Sequence, residues 1–268
     1  MAAALQMIKV LYIGDVVGQP GRRALHQKLE HVVDREKVDF TIVNVENAAG
    51  GFGVTEAIME ELAQLPIHAY TSGNHIWDKK DFVDNYEHYP HVIRPANYPA
   101  GNPGTGKVIR QTAGGVNVAV LQLMGNIFMP PADNPFYCAD KELKEIGTQA
   151  KVIIVDIHGE ASSEKQAMGR YLDGRVSAVL GTHTHVPTAD ERILPNGTAY
   201  QTDVGMTGAY DSVIGFRPEE ALHRFLMNTP RKLEVAKRDV RLSGILVDID
   251  EETGKASRIT RIREDLVE

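Results

Sequence analysis

Ile8-Lys9-Val10-Leu11-Tyr12-Ile13-Gly14-Asp15 opens the stretch whose reading decides the fold. The apolar run is a buried strand that stops on a glycine and an acid. Downstream, Gly21 to Glu36 carries Leu25, Leu29, Val32 and Val33 at helical spacing. Phe40 to Val45 is the next strand, and it ends at Glu46-Asn47 and the turn Gly50-Gly51-Phe52-Gly53. Thr55 to Leu65 reads as a helix capped by Thr55 and stopped by Pro66, after which a short strand at Ala69 delivers Gly73-Asn74-His75. The order βαβαβ predicts parallel strands with right-handed crossovers, which sets Asp15, Glu46, Asn74 and His75 on one edge of one sheet.

The second half changes character. Lys107 to Gln111 and Val116 to Leu121 flank Thr112 to Gly115 and read as a hairpin. Val152 to Val155 and Val176 to Leu180 are short, bulky strands, separated by a helix from Ser163 to Leu172 with a capping box of Ser163 and Gln166. Pro195-Asn196-Gly197 is a tight turn, and Arg241 to Ile249 with Lys255 to Ile262 form a closing hairpin. Leu123 to Cys138, with Met124, Phe128, Met129 and three prolines, reads as a packed loop or lid. Two packed sheets with outer helices accommodate these elements.

Composition narrows the function classes. The chain has 268 residues, 43% of them hydrophobic, enough to bury a sizeable core. Nothing divides it, so one domain is expected over 8–268, with 1–7 as a short N-terminal extension. A net charge of −7 argues against a broad nucleic-acid-binding face. Cys138 is the only cysteine, which excludes an internal disulfide and zinc-thiolate chemistry and points to a reducing compartment. With neither a signal peptide nor an apolar run of membrane-spanning length, a cytoplasmic location is expected.

The chemistry concentrates at strand ends. His26, His31, His68, His88, His91 and His223 read as ordinary surface or core histidines. His75, His158, His183 and His185 instead follow short apolar segments, and the last two emerge together in Gly181-Thr182-His183-Thr184-His185. Open α/β sheets place their ligands at such carboxyl ends. With Asp15, Glu46, Asn47 and Asn74 these residues make an oxygen and nitrogen set without sulfur, suited to Mn, Fe, Zn or similar ions. They are too many for one ion, and a pair ~3.5–4 Å apart is the arrangement that supports phosphoryl transfer.

At this point the chain resembles the calcineurin-like metallophosphoesterases, and more closely the bacterial YmdB-like phosphodiesterase family. The superfamily order of Asp-x-His, Gly-Asp, Gly-Asn-His, a lone His and Gly-x-His-x-His is met by Asp15, Gly73-Asn74-His75, His158 and Gly181 to His185. Val17 stands where the first His ligand would be, and Glu46-Asn47 where the bridging Asp would be. Both departures are similar to the YmdB-like pattern, as are the segments Gly18 to Gly21, Asn47 to Gly53, Asp133 to Phe136 and His185 to Asp190.

The resemblance implies a four-layer α-β-β-α sandwich of two packed mixed sheets. It also implies that Asp15, Glu46, Asn47 and His185 hold one metal while Glu46, Asn74, His158 and His183 hold the other, Glu46 bridging. Two transition-metal ions are expected, Fe or Mn ahead of Zn. A side-chain cap on the glycine-rich turn is the alternative for Asn47, and permissive backbone is the expected reason for Gly73 and for the turn glycines. The implied mechanism is in-line attack by a metal-bridging hydroxide, with His75 protonating the leaving alkoxide or stabilising the charged transition state. The implied substrate is a small anionic nucleotide, a 2′,3′-cyclic one foremost. Rival readings are a phosphomonoesterase or nucleotidase on the same site, and an RNA-associated regulatory protein with a non-catalytic metal site. Neither membrane association nor a broad nucleic-acid surface is expected, and a homo-oligomer stays open.

Overall fold

The computed structural model describes residues 6–267. The first sheet holds seven strands. These are β1 (Met7–Ile13), β2 (Asp15–Val16), β3 (Phe40–Asn44), β4 (Ala69–Thr71), β11 (Met206–Ala209), β12 (Val240–Asp250) and β13 (Ala256–Asp265). They run in the order β2-β11-β12-β1-β3-β4, with β13 also on β12. The β1, β3 and β4 strands are parallel, as the βαβαβ reading expects, and β12 closes against β1 antiparallel. The second sheet comprises β5 (Lys107–Gln111), β6 (Asn117–Met124), β7 (Val152–His158), β8 (Ala178–Thr182), β9 (Arg192–Ile193) and β10 (Ala199–Gln201), in the order β5-β6-β7-β8-β10-β9. Both sheets are mixed.

Strand alternation explains the layers, because successive side chains point to opposite faces. On β1, Val10 and Tyr12 join Ile42, Val120, Ile154 and Leu180 in the core between the sheets. Leu11 and Ile13 face the other way, onto Leu25, Leu29 and Val32 of α1 (Gly18–Glu36) and Met59 and Leu62 of α2 (Glu56–Leu62). On the far side, Val155 and Ile157 pack on Ala139 and Ile146 of α4 (Pro135–Ile146) and Met168 and Leu172 of α5 (Ser162–Leu172). Three apolar clusters between four layers give a helix–sheet–sheet–helix sandwich. The remaining helices are α3 (Lys80–Asp84) and α6 (Pro218–Met227). Among the described residues no helix is long and apolar enough to cross a membrane.

Several expectations need correction. Leu123 to Cys138 is not one loop: β6 runs through Met124, and α4 starts at Pro135 with the Asn134 side chain accepting from the amides of Phe136 and Tyr137. Asn134-Pro135 is thus a cap followed by a first-turn proline, a start signal hidden among the other prolines. The Ser163–Gln166 box does not form, since α5 begins at Ser162 after Ala161, which makes no side-chain cap. Glu164 is instead turned to the 125–134 loop, where its carboxylate accepts from the amides of Asn126 and Ile127. Thr55 does cap α2 through the Ile58 amide, but that helix ends at Leu62. Met7 already belongs to β1, and of the expected N-terminal extension residues 1–5 lie outside the described residues.

Candidate metal centre

The carboxyl ends of β1, β3 and β4 in one sheet meet those of β7 and β8 in the other, and every proposed ligand sits at that junction. Two sets of side chains bring ligand atoms within 4.8 Å of one another: Glu46, His158 and His183, and Asp15, Glu46 and His185. Glu46 belongs to both. In the first set His158 Nε2 lies 3.2 Å from Glu46 Oε1, 3.1 Å from His183 Nδ1 and 3.0 Å from Asn74 Oδ1. Glu46, His183 and Asn74 thus each bring a ligand atom within 3.2 Å of His158 Nε2. In the second, the Asn47 amide nitrogen is 3.0 Å from Glu46 Oε1 and 3.1 Å from His185 Nε2. The Asn47 side chain thus points into the site, and the turn is tied instead by its main-chain carbonyl, which accepts from Gly51 and Gly18.

The residues fit metal binding on a specific observation. Asp15 is fully buried; its Oδ2 accepts from the His183 amide, while its Oδ1 has no hydrogen-bond partner. A buried carboxylate oxygen without a partner is costly unless a cation completes it. Burial pushes the Asp15 carboxyl up to about 7 against the opposing pull of His185 and His158. Burial also raises Glu46, but the charge and hydrogen bond of His158 outweigh it and hold Glu46 at about 2. Burial lowers His158, and the facing Glu46 reverses that, taking the imidazole to about 9. His183 is brought down to about 3 by burial and by neighbouring His158, which keeps it a neutral donor. A cation held by these residues would compete with the proton that the facing Glu46 favours on His158.

A second layer orients the imidazoles. His185 Nδ1 donates to the Ile214 carbonyl at 2.8 Å, which leaves Nε2 for the site. His158 Nδ1 donates to Thr182 Oγ1 at 2.9 Å, and Thr182 donates onward to Asp156, which also accepts from Tyr12. Glu160 lies 3.4 Å from His183 Nε2, opposite the nitrogen aimed at the metal position. His183 and His185 adopt φ of +96° and +65°, sparsely populated for non-glycine residues and the reason both rings turn into one cavity. The buried Asp203 clamps the loop between them, accepting from the amide and hydroxyl of Thr184 and from Lys165 Nζ at 2.7 Å. Tyr12, Asp156, Lys165 and Asp203 carry no signal of a site role in the sequence: Tyr12 and Asp156 sit inside strands ahead of the ligands Asp15 and His158, and Lys165 and Asp203 belong to no recognisable motif.

Gly73 departs from the expected reason for its identity. Its φ is not in the left-handed region, unlike Gly50, Gly51 and Gly53. A Cβ there would instead fall 2.3 Å from His158 Nε2, inside the ligand cluster. Gly73→Ala should therefore weaken metal affinity ~10–100-fold, the scale of a displaced ligand shell, with the fold retained. Calorimetric metal titration of the stripped protein measures this, and wild-type affinity in the variant would refute it.

His75 stands beside the clusters. Its amide donates to Glu46 Oε2 at 3.1 Å, while its ring Nδ1 pairs with Asp78 at 2.8 Å. His75 belongs to neither three-residue set. Asp78, three residues on, orients the ring and was also missed from sequence.

Residues 11–262 match the profile of the YmdB-like proteins. The chain belongs to the YmdB-like family. A 2′,3′-cyclic-nucleotide 2′-phosphodiesterase of Bacillus subtilis (strain 168) is 49% identical over 255 residues, 95% of this chain and 96% of that protein. Among solved structures, a hypothetical protein from Thermus thermophilus superposes with a TM-score of 0.90 at 42% identity, over 96% of this chain and 99% of that one. A phosphatase structure from Mycoplasma pneumoniae gives a TM-score of 0.92 at 32% identity, over 98% and 95% of the two chains. The YmdB-like resemblance read from the motifs and the sandwich of two mixed sheets are therefore both established.

Proposed function

We propose that this chain hydrolyses 2′,3′-cyclic nucleotides at a dinuclear metal site. It is an enzyme of the phosphodiesterase and phosphatase class, and the nucleotide substrate is inferred from the activity named for its Bacillus subtilis relative. The observation that carries the dinuclear reading is Glu46, shared by two ligand sets, beside the unpartnered Asp15 oxygen.

Asp15, Asn47 and His185 would hold one ion, Asn74, His158 and His183 the other, with Glu46 between. Bound divalent ions supply Lewis acidity toward a phosphoryl oxygen and neutralise charge in an in-line displacement. In the reaction a water oxygen joins phosphorus, the bond from phosphorus to the ribose 2′ oxygen breaks, and the leaving oxygen takes a proton. His75 would give it: with Nδ1 paired to Asp78, Nε2 is the ring nitrogen left to donate to the leaving group. The Glu46 carboxylate fixes the His75 main chain by accepting from its amide, which couples the acid's position to the metal ligands.

The protein purified without chelator should carry about two transition-metal ions per chain, and it should hydrolyse 2′,3′-cyclic nucleotides faster than the corresponding nucleoside monophosphates. Elemental analysis and paired assays on the two substrates measure both. Faster phosphate release from the monophosphates would favour a nucleotidase, and no diester hydrolysis by metal-loaded protein would favour a non-catalytic site.

A further inference from the structure

One wall of the cavity above the ligands is chemically unlike its floor. The cavity, of about 340 Å³, is floored by Glu46, His75, His183 and His185 and walled by Phe52, Ile214, Phe216 and Leu233. Phe52 stacks on Phe216 with centroids 5.2 Å apart and planes 22° from parallel. Gly51 permits this, since a Cβ there would fall 2.7 Å from the Phe216 ring.

Ile214 is the anomaly in that wall. Val213 and Phe216 exchange main-chain hydrogen bonds of 2.9 and 3.0 Å across Ile214-Gly215, whose φ values are +48° and +97°. A two-residue hairpin turn with both central residues left-handed takes Asn, Asp or Gly, and a β-branched residue there is strained. The strain is not needed for the carbonyl that orients His185, because Asn or Gly would present the same carbonyl at lower cost. What only isoleucine adds is its side chain, which is 48% exposed beside the aromatic pair. Backbone strain that persists at a ligand cavity is a mark of function.

We propose that Ile214 and Phe52, the latter backed by the buried Phe216, form the contact surface for the nucleobase of the substrate and set its preference for nucleotides over base-free cyclic phosphates. The assignment rests on the function proposed above. A ligand that fills the cavity has an anionic end at the ligand cluster and a flat, weakly polar end on the wall, and the base of a nucleotide is such a face.

The test is Ile214→Asn, with Ile214→Gly as a second variant suited to the same turn. Each is assayed in metal-loaded form on a nucleoside 2′,3′-cyclic phosphate and on methyl riboside 2′,3′-cyclic phosphate, which lacks the base. KM for the nucleotide should rise about 5–10-fold relative to KM for the riboside, the worth of one partly buried aliphatic side chain. The Asn variant should melt about 2–4 °C above the wild type as the strained turn relaxes. An equal KM rise on both substrates would overturn the proposal and show that Ile214 serves only to position His185. If the wild type hydrolyses both compounds with the same KM, the phosphodiesterase function stands and the base-binding wall falls. Hydrolysis of neither compound by the wild type would defeat the proposed function and this assignment with it.

Discussion

His75→Ala is expected to lose ~10²–10⁴-fold in turnover of a 2′,3′-cyclic nucleotide while keeping its fold and its metal content, the range typical of lost acid–base catalysis. The expectation follows from position. His75 touches the ligand cluster only through its main-chain amide, which alanine retains, and its ring is held from outside by Asp78. On the proposed mechanism the ring would contribute a proton donor and no coordination. A ribose alkoxide is a poor leaving group and cannot depart readily without a proton, whereas a nitrophenolate can. The loss on a bis-nitrophenyl diester should accordingly be distinctly smaller. Equal losses on both substrates would assign His75 to charge stabilisation of the transition state, and a fall in metal content would make it a ligand. Asp78→Asn offers a milder companion, since the amide still accepts from Nδ1 but no longer presents a charge to the ring.

What was legible in the sequence, and what was not, follows from the range over which each signal acts. Strands that deliver the ligands are continuous apolar runs ending in an acid or an imidazole, so Ile8 to Asp15 and the segment before Gly181 could be read locally. Parallel strands sharing a direction then set Asp15, Glu46 and Asn74 on one sheet edge, while His158, His183 and His185 were legible as strand-end residues and joined that site through the family motifs. The β9, β10 and β11 strands are two to four residues long, too short for any periodicity to register. Lys165 and Asp203 form a buried pair across 38 positions, and nothing adjacent to either residue signals the other. The left-handed backbone at His183, His185 and Ile214 was equally silent, because these residue types do not favour it and the surrounding structure imposes it. Gly73 was visible but its reason was not: open space for the ligand atoms, rather than backbone freedom, excludes a side chain there.

Glu46→Gln tests the shared position most severely, and it should reduce metal content from about two ions per chain to one or fewer and cut cyclic-nucleotide hydrolysis by more than ~10³-fold. Glutamine preserves the volume, so the sandwich itself should be unaffected and circular dichroism unchanged. The hydrogen bonding cannot be preserved. Oε2 accepts from the His75 amide and Oε1 from the Asn47 amide nitrogen, and the carboxylate is an acceptor at both ends. An amide has one acceptor and one donor end, so in either orientation a donor faces a donor in a fully buried setting, a mismatch that costs about 1–3 kcal/mol. The charge is lost as well, leaving Asp15 as the single acid in the two ligand sets. Elemental analysis separates this effect from a purely catalytic one, because a variant that keeps both ions but is inactive would confine Glu46 to the reaction itself. A wild-type protein carrying one ion per chain, whose occupancy does not change in Glu46→Gln, would sink the dinuclear reading and return the second ligand set to an unpaired structural role.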